Sequence, residues 1–232
     1  ARTPDLLADP AALGRLLTVV IADDAPARTL AGVNLVAALE ALNDGAGQYG
    51  GTPHSQSWAL IGLAAARRPI DSSAIAALIA MQRADGSWSA NGSSGDTATT
   101  ALALQALAAA GVSEDAPEVA TALTWLGARQ TSDAGFAAAA ASTATDVRAT
   151  SATIQALLAL GDDPRAQDWL VSGRSALDAL AQRQLGSGAW EANPGAGGDV
   201  ATTGQAAMAL LLEVNPLCSG QLLVMLPLVG GR

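Results

Sequence analysis

The chain lacks lysine, and its 12 basic residues are all arginine. Against 21 acidic residues they leave a formal net charge of -9 at pH 7, which excludes the basic surface that nucleic-acid binding requires. A single cysteine excludes an internal disulfide framework and every multi-cysteine metal cluster. No apolar run reaches the roughly 18 residues needed to span a bilayer. We therefore expect neither a nucleic-acid partner nor a transmembrane segment.

Aromatic residues are scarce and alanine is abundant. Alanine accounts for 55 of the 232 residues. Helices tolerate alanine best and strands use it little. Half of the residues are hydrophobic and 14% are charged, which is typical of a compact domain. The composition predicts an all-α fold and a single domain over residues 1–232.

Three segments repeat a pattern in which an apolar helical stretch ends in glutamine and an aromatic residue follows a polar, glycine-containing turn. The aromatic residue lies six positions after the glutamine each time. A weaker fourth copy has Asn43 in place of the glutamine and Tyr49 as its aromatic residue. The three complete turns are QRADGSW at 82–88, QTSDAGF at 130–136 and QLGSGAW at 184–190.

A second helical stretch follows each turn and opens at a polar residue that suits a helix N-cap. Successive copies are 39, 48 and 54 residues apart, counted from the polar residue that opens each turn. Intervals of this size are typical of paired-helix repeats. The second helices are predicted to open after Thr52, Asp96, Asp146 and Asp199, in repeats spanning about 28–67, 73–111, 119–161 and 175–214.

Each end of the chain carries one helical stretch without a partner, at residues 11–22 and 217–228. If the two pair, four full hairpins and one hairpin assembled from both ends close a ring of about ten helices. Closure would cover the apolar face that an open array of repeats exposes at its ends. Pro227 argues against a long last helix. The predicted fold is therefore a helical-hairpin α/α toroid in which closure by the two ends is one of two possibilities.

The pattern Q-x-x-D-G-x-W followed by D-x-x-T-T-x-A-L-x-x-Q-A-L resembles the α/α-toroid superfamily of terpenoid cyclases and protein prenyltransferases. The match is best over 73–111 and 119–161 and extends in weaker form over about 28–214. The resemblance implies that the glutamine of each turn hydrogen-bonds a neighbouring helix end and that the aromatic ring packs over it. The residues with this implied structural role are Gln82 with Trp88, Gln130 with Phe136, and Gln184 with Trp190.

The cyclase chemistry of the superfamily finds little support in this sequence. Cyclases that protonate an alkene or an epoxide carry a D-x-D-D or D-C-T-A-E type motif, because one carboxyl must stay protonated among others. Neither motif occurs here. The adjacent acidic pairs Asp23-Asp24 and Asp162-Asp163 lie beside prolines, where turn roles are common.

The sequence also lacks most of the residues that related proteins use for metal binding or for an internal thioester. Protein prenyltransferase subunits resemble this fold and hold Zn²⁺ with Asp, Cys and His ligands, but here His54 and Cys218 lie far apart in the repeats. Thioester domains need a cysteine and a glutamine three residues apart; Cys218 and Gln221 have the spacing without the glutamate that normally lies between them. We predict no metal, no cofactor and no assigned catalytic residue.

The second helices of all repeats run in the same direction, so their N-termini are predicted to surround one mouth of the toroid. Aspartate ahead of a helix is favoured by capping alone, but threonines recur four residues later and predict a polar ring beneath an acidic one. Such a surface suits a small polar or cationic ligand. The candidate ligand-binding residues are His54, Gln56, Trp58, Asp96, Thr100, Asp146, Thr150, Asp199 and Thr203.

Three functions follow as hypotheses. Cobalamin carriers and bacterial surface proteins with similar repeats imply a non-catalytic ligand-binding or interaction module, secreted by a bacterium or displayed on its surface. One alternative is a reduced terpene-cyclase-like enzyme, whose acid would be Asp96, Asp146 or Asp199. The other is a structural or oligomerising domain, and the sequence does not specify an oligomeric state.

Overall fold

The computed structural model describes residues 6–22, 29–30 and 32–211. Over these residues the chain is mostly helical, which confirms the predicted all-α fold. The helices are α1 (Pro10–Ala22), α2 (Leu35–Glu40), α3 (Pro53–Ala65), α4 (Ser72–Ala80), α5 (Thr97–Ala109), α6 (Pro117–Gly127), α7 (Val147–Leu160), α8 (Ala176–Ala181) and α9 (Val200–Leu210). A short antiparallel pair, β1 (Thr29–Leu30) and β2 (Val33–Asn34), precedes α2, and a 3-10 helix spans Gln167–Trp169.

The second helix of each repeat begins where the sequence predicts, because its first turn is capped by the preceding polar side chain. Asp96, Asp146 and Asp199 each accept a hydrogen bond from the backbone N–H three residues later, at 2.7 to 2.8 Å. Thr52 does the same for Ser55 at the start of α3. These contacts satisfy N–H groups that have no partner within the helix.

The helices form two layers. The inner layer consists of the odd-numbered helices, and each packs directly against the next: α1 on α3, α3 on α5, α5 on α7 and α7 on α9. The even-numbered helices α2, α4, α6 and α8 lie outside them, each packed against the inner helix that precedes it in the chain. This arrangement places the N-terminal ends of the inner helices side by side.

The inner helices form an arc whose two ends are α1 and α9. Over the described residues these two helices do not pack side by side. The closing helix predicted over residues 217–228 lies outside that part of the chain, as does Cys218. Closure of the arc into a ring stays a prediction.

The turns between outer and inner helices hold neighbouring hairpins together through glutamine. Gln82 Nε2 donates to the Gly86 carbonyl in its own turn at 2.9 Å and to the Glu118 carbonyl of α6 at 2.8 Å. Gln130 Nε2 donates in the same way to the Trp169 carbonyl, at 2.7 Å. Gln184 Nε2 donates to Gly188 of its own turn.

The two tryptophans of these turns stabilise their own hairpin. The fully buried Trp88 donates from Nε1 to the Leu78 carbonyl of α4 at 2.8 Å, and Trp190 donates to Leu180 of α8 at the same distance. Each indole therefore fixes the outer helix to its own turn. Phe136 is also fully buried, and its ring lies 6.2 Å from the Trp169 ring of the 3-10 helix, beside the glutamine link to the next repeat.

None of the described helices combines the length and the apolarity needed to cross a bilayer.

The pair Asp162-Asp163 follows the C-terminus of α7, where Asp163 Oδ1 accepts from the Arg165 N–H at 2.9 Å, as in a turn. The pair Asp23-Asp24 lies outside the described residues.

Candidate functional site

The concave side of the arc encloses a cavity of about 800 Å³ that is lined by residues of all five inner helices. Clefts of this size are typical of small-molecule sites. The cavity extends from the N-terminal ends of the inner helices, where Asp96 and Asp146 lie, to residues two turns further along, such as Gln105.

The lining follows one rule that the repeats share. Counted from the capping residue, positions two, six and nine face the cavity in α5, α7 and α9, positions two and six in α3, and positions six and nine in α1. This spacing lies on one helix face. In α1 the count starts from Asp9, whose Oδ1 caps the helix by accepting from Ala11 and Ala12. Position two supplies His54, Ala98, Arg148 and Ala201; position six supplies Arg15, Trp58, Leu102, Ala152 and Gln205; position nine supplies Thr18, Gln105, Gln155 and Met208.

The acidic residues predicted at the mouth divide into two groups. Asp96 and Asp146 line the cavity, but Asp199 does not. Asp96 Oδ2 also accepts from the Ala90 N–H at 2.8 Å, in addition to its cap. Hydrogen bonds from Thr202 lower the pKa of Asp199, which caps α9 as an ionised carboxylate. These carboxylates serve first as caps, and two of them also face the cavity.

The prediction that a ring of threonines lines the cavity beneath the acidic residues is wrong. Thr100, Thr150 and Thr203 do not line the cavity; their Oγ1 atoms accept from the backbone N–H of the turn aromatic residue, at 2.9 to 3.0 Å. The reason is angular: with 100° between successive residues, position four of each helix lies about 165° around the axis from the face formed by positions two, six and nine. The hydroxyls therefore fix the turns and are unavailable to a ligand.

The prediction that Gln56 binds a ligand is also wrong. In the first repeat Gln56 occupies the position of these threonines. Its side chain is fully buried away from the cavity. Gln56 Oε1 accepts from the Tyr49 N–H at 2.7 Å, as the threonines do for their turns, and its Nε2 donates to the Gly47 and Ala74 carbonyls. The Ala74 bond links this turn to α4, which is the role of the turn glutamine in the other repeats. The shorter Asn43 only accepts from its own turn, at Gly45 and Gly47.

His54 and Trp58 do line the cavity, and they form a cluster with Arg15 of α1. The Arg15 guanidinium lies 5.1 Å from the centre of the Trp58 ring and hydrogen-bonds the His54 Nε2. Burial, and after it the charge of Arg15, lower the pKa of His54 below its ordinary value of 6.5, against smaller opposing effects of Asp9 and Asp96. At neutral pH the imidazole is therefore uncharged and pairs with the guanidinium as an acceptor.

The sequence analysis missed Arg15 and Arg148, which place two positive charges at the cavity beside the two carboxylates. The predicted preference for a cation rested on an acidic ring, and the two arginines remove that basis because the charges balance. Both arginines occupy the positions that the lining rule selects. Counting two and six residues from each capping aspartate would have found them.

Gln105 is a buried polar residue of the lining that the sequence analysis also missed. Only 2% of its surface is exposed, and its Nε2 donates to the Ala152 carbonyl at 3.2 Å. Its Oε1 is buried without a hydrogen-bond partner among the described residues. The signal was present in the repeated Q-A-L of the second helices, nine residues after the capping aspartate.

Metal binding receives no support from the described residues, which contain no cluster of three His, Cys, Asp or Glu side chains able to hold an ion.

Comparison with known proteins does not assign this chain to a family. No protein-family model matches this chain. No curated protein matches it either. The interpretation of the cavity therefore rests on its own geometry.

Proposed function

We propose that this protein is a non-catalytic binding protein for a small organic molecule, which it holds in the cavity between its inner helices. The observation that carries the proposal is the cavity of about 800 Å³ to which all five inner helices contribute. A filled centre would be the expectation for a purely structural array of helices, because interiors pack to high density. The resemblance of the repeats to α/α toroids supports the same location.

The lining favours a neutral, largely apolar ligand over an ion. Leu102, Ala149, Ala152 and Met208 supply apolar surface from three different helices. The charged groups of the lining balance, since they are two arginines and two aspartates. A ligand with net charge would therefore meet both attraction and repulsion at the mouth.

The alternative of a cyclase-like acid finds less support. Asp96 accepts backbone N–H groups through both of its oxygens, from Thr99 and from Ala90. A general acid needs a protonated oxygen directed at the substrate, and Asp96 does not present that arrangement. Asp146 Oδ1 likewise accepts from the Ala149 N–H as a helix cap.

The oligomerising alternative is favoured by one observation, the exposed apolar side chains at the two ends of the arc. Val19 of α1 is 66% exposed and Val200 of α9 is 90% exposed. Exposed apolar surface at the ends of an array is a common contact between copies. This candidate ranks second because both residues also line the cavity.

The first experiment is native mass spectrometry of the purified chain, which reads a retained ligand and the oligomeric state together. The second is titration with N-phenyl-1-naphthylamine, a neutral apolar dye whose fluorescence rises in apolar sites. We expect saturable binding that is lost in Ala152→Trp, where the new ring fills the cavity. Ala120→Trp, on the exposed face of the outer helix α6, is the matched control and is expected to bind the dye normally. Equal binding by both variants would contradict the proposal, and a bare oligomer that does not bind the dye would favour the oligomerising domain.

A further inference from the structure

Each inner helix contacts its two neighbours through two side faces that flank the face towards the cavity. Counted from the capping residues, Gly14 at position five of α1 meets Gly62 at position ten of α3. Thr97, at position one of α5, donates from its hydroxyl to the Ala137 carbonyl of the following repeat. Positions one, five and eight therefore face the next inner helix, and positions three, seven and ten face the preceding one. With 100° between successive residues, the two sets lie about 160° apart around the helix axis.

Both side faces are buried where a neighbouring inner helix is present. Positions five and eight of α1, α3, α5 and α7 are all buried. Positions three, seven and ten of α5, α7 and α9 are at most 6% exposed. The same contact between two side faces is thus repeated from α1 to α9.

The two ends of the arc present these side faces without a neighbour. Val19 is 66% exposed, Val200 is 90% exposed and Leu211 is 68% exposed, and they are three of the four large apolar side chains that are exposed in the described part of the chain. The head face, on α1, consists of Ala12, Leu16 and Val19. The tail face, on α9, consists of Val200, Gly204, Ala207 and Leu211.

The sizes of the side chains make the head face a complement of the tail face. In the four contacts within the chain, position eight is leucine or isoleucine, and positions three, seven and ten of the next helix carry only alanine, glycine, serine or threonine. At the ends of the arc these sizes are exchanged, because Ala207 occupies position eight of α9 while α1 carries Leu16 and Val19. Such an exchange conserves the volume that a packed contact needs. Neither face contains a charged side chain.

We infer that the head face of one copy of this chain docks on the tail face of a second copy, so that the row of inner helices continues from one chain into the next. Within one chain α1 and α9 do not pack side by side over the described residues, which leaves both faces open to a partner. The contact is heterologous, because it joins two different surfaces of the same protein. It does not depend on what the cavity binds.

Sedimentation velocity of the unmodified chain over about a hundredfold range of protein concentration measures the association. We expect species of two or more copies whose share rises with concentration. Val19→Glu disables the head face and Val200→Glu disables the tail face, and each variant alone is expected to lose the association. Leu30→Glu is the matched control, since it adds the same charge at an exposed apolar residue outside both faces. It is expected to associate like the unmodified chain.

The decisive measurement is an equimolar mixture of the two disabled variants. Val19→Glu keeps its tail face and Val200→Glu keeps its head face, so the mixture is expected to form a heterodimer although neither variant associates alone. Growth stops at two copies, because the remaining head and tail faces are both disabled. A variant that had lost its fold would not regain association in the mixture, so the heterodimer also shows that both variants are folded.

Three outcomes would overturn the inference. An unmodified chain that stays monomeric at every concentration would show that no second copy covers these faces, and residues 212–232 of the same chain would become the candidate occupant. Association of Val19→Glu alone, or of Val200→Glu alone, would indicate a contact between two like faces. A mixture that stays monomeric would show that the head face does not bind the tail face.

Discussion

Gly62 faces Gly14 across the contact between α3 and α1 so closely that a Cβ atom on Gly62 would lie 2.7 Å from the Gly14 Cα. The reverse contact is tighter still, since a Cβ on Gly14 would lie 2.0 Å from the Trp58 carbonyl oxygen. Both obstacles are backbone atoms, which cannot turn aside as a flexible side chain would. The close approach of these two helices therefore depends on glycine at both positions, and it sets Arg15 beside Trp58 at the cavity.

The first prediction concerns this contact. Gly62→Ala is expected to lower the free energy of unfolding by about 2 kcal/mol, because the added methyl group forces the two helices apart. Helix propensity alone would predict the opposite sign, since alanine is favoured over glycine by about 1 kcal/mol inside a helix. Urea unfolding measures the difference.

Gly204→Ala provides the matched control within α9. A Cβ at this position meets nothing within 4 Å, so the propensity term acts alone and the variant is expected to be more stable by up to about 1 kcal/mol. Stabilisation of the protein by both substitutions would show that α1 and α3 do not need the glycine contact.

The second prediction concerns Gln56. In the first repeat this residue makes both the turn contact that a threonine makes in the other repeats and the link to the next outer helix that a turn glutamine makes there. Gln56→Leu is expected to cost about 3 kcal/mol of unfolding free energy, because the Tyr49 N–H and two backbone carbonyls lose their buried partner. Gln56→Thr restores an acceptor for Tyr49 but not the link to α4, so an intermediate cost is expected.

Gln184→Leu is the control for Gln56, since Gln184 is exposed and donates only within its own turn. Its expected cost is below about 1 kcal/mol. Thermal unfolding of the four proteins, with the unmodified chain as reference, ranks them. Equal melting temperatures for Gln56→Leu and Gln184→Leu would contradict the assignment of the buried link.

The helix boundaries were predictable from sequence because the signals that set them are local. A capping residue followed by an apolar stripe fixes where an inner helix begins, and Asp96, Asp146 and Asp199 all act as predicted caps. The cavity itself was harder to predict, because a helix face must be chosen before its residues can be named. Thr100 was assigned to the cavity although it faces the turn, while Gln105, five residues later, faces inward.

Two features could not be predicted because they depend on contacts between repeats. Counting from Asp9 places Arg15 on the cavity face, but its contact with the Trp58 ring depends on the close approach of α1 to α3 at Gly14 and Gly62. The double role of Gln56 depends on the distance from its turn to the Ala74 carbonyl of α4. Such distances are set by the packing of helices that are far apart in the chain, and no local pattern contains them.

The third prediction concerns the pH dependence of stability through His54, the single histidine of the chain. Its pKa is lowered in the folded protein, chiefly by burial and then by Arg15. The unfolded chain therefore binds more protons between the folded pKa and about 6.5, so the free energy of unfolding rises with pH across that window. The stabilisation is lost as the pH falls below 6.5 and the imidazole must be protonated in its buried position.

An NMR titration of the imidazole resonance checks the pKa directly, and unfolding at pH 5 to 7.5 checks the linkage. His54→Gln does not titrate in this window and is expected to flatten that part of the stability curve. Arg15→Gln is expected to raise the pKa of His54 while leaving it below 6.5, because burial is the larger cause. A pKa of 6.5 or higher in the unmodified protein would refute the assignment.

The fourth prediction concerns Asp133, which joins the third turn to the outer helix of the next hairpin. Its Oδ2 accepts from Arg183 Nη2 at 2.6 Å, and its Oδ1 accepts from the hydroxyls of Thr131 and Thr145 at the same distance. Burial acts to raise the pKa of the Asp133 carboxyl, but these hydrogen bonds and the charge of Arg183 outweigh it. The pKa is held well below its ordinary value of 3.8.

Because the folded pKa of Asp133 lies below the unfolded one, its stabilisation is present above about pH 4 and is lost as the pH falls through the acid range. Asp133→Asn is expected to cost about 2 kcal/mol at pH 7, and the difference from the unmodified protein is expected to shrink towards pH 2. Glu40→Gln, which breaks the more exposed pair with Arg68, is expected to cost less than about 1 kcal/mol. Urea unfolding of the three proteins from pH 2 to pH 7 measures both effects, and an Asp133→Asn cost that stays constant over this range would show that the carboxylate charge does not contribute to the link.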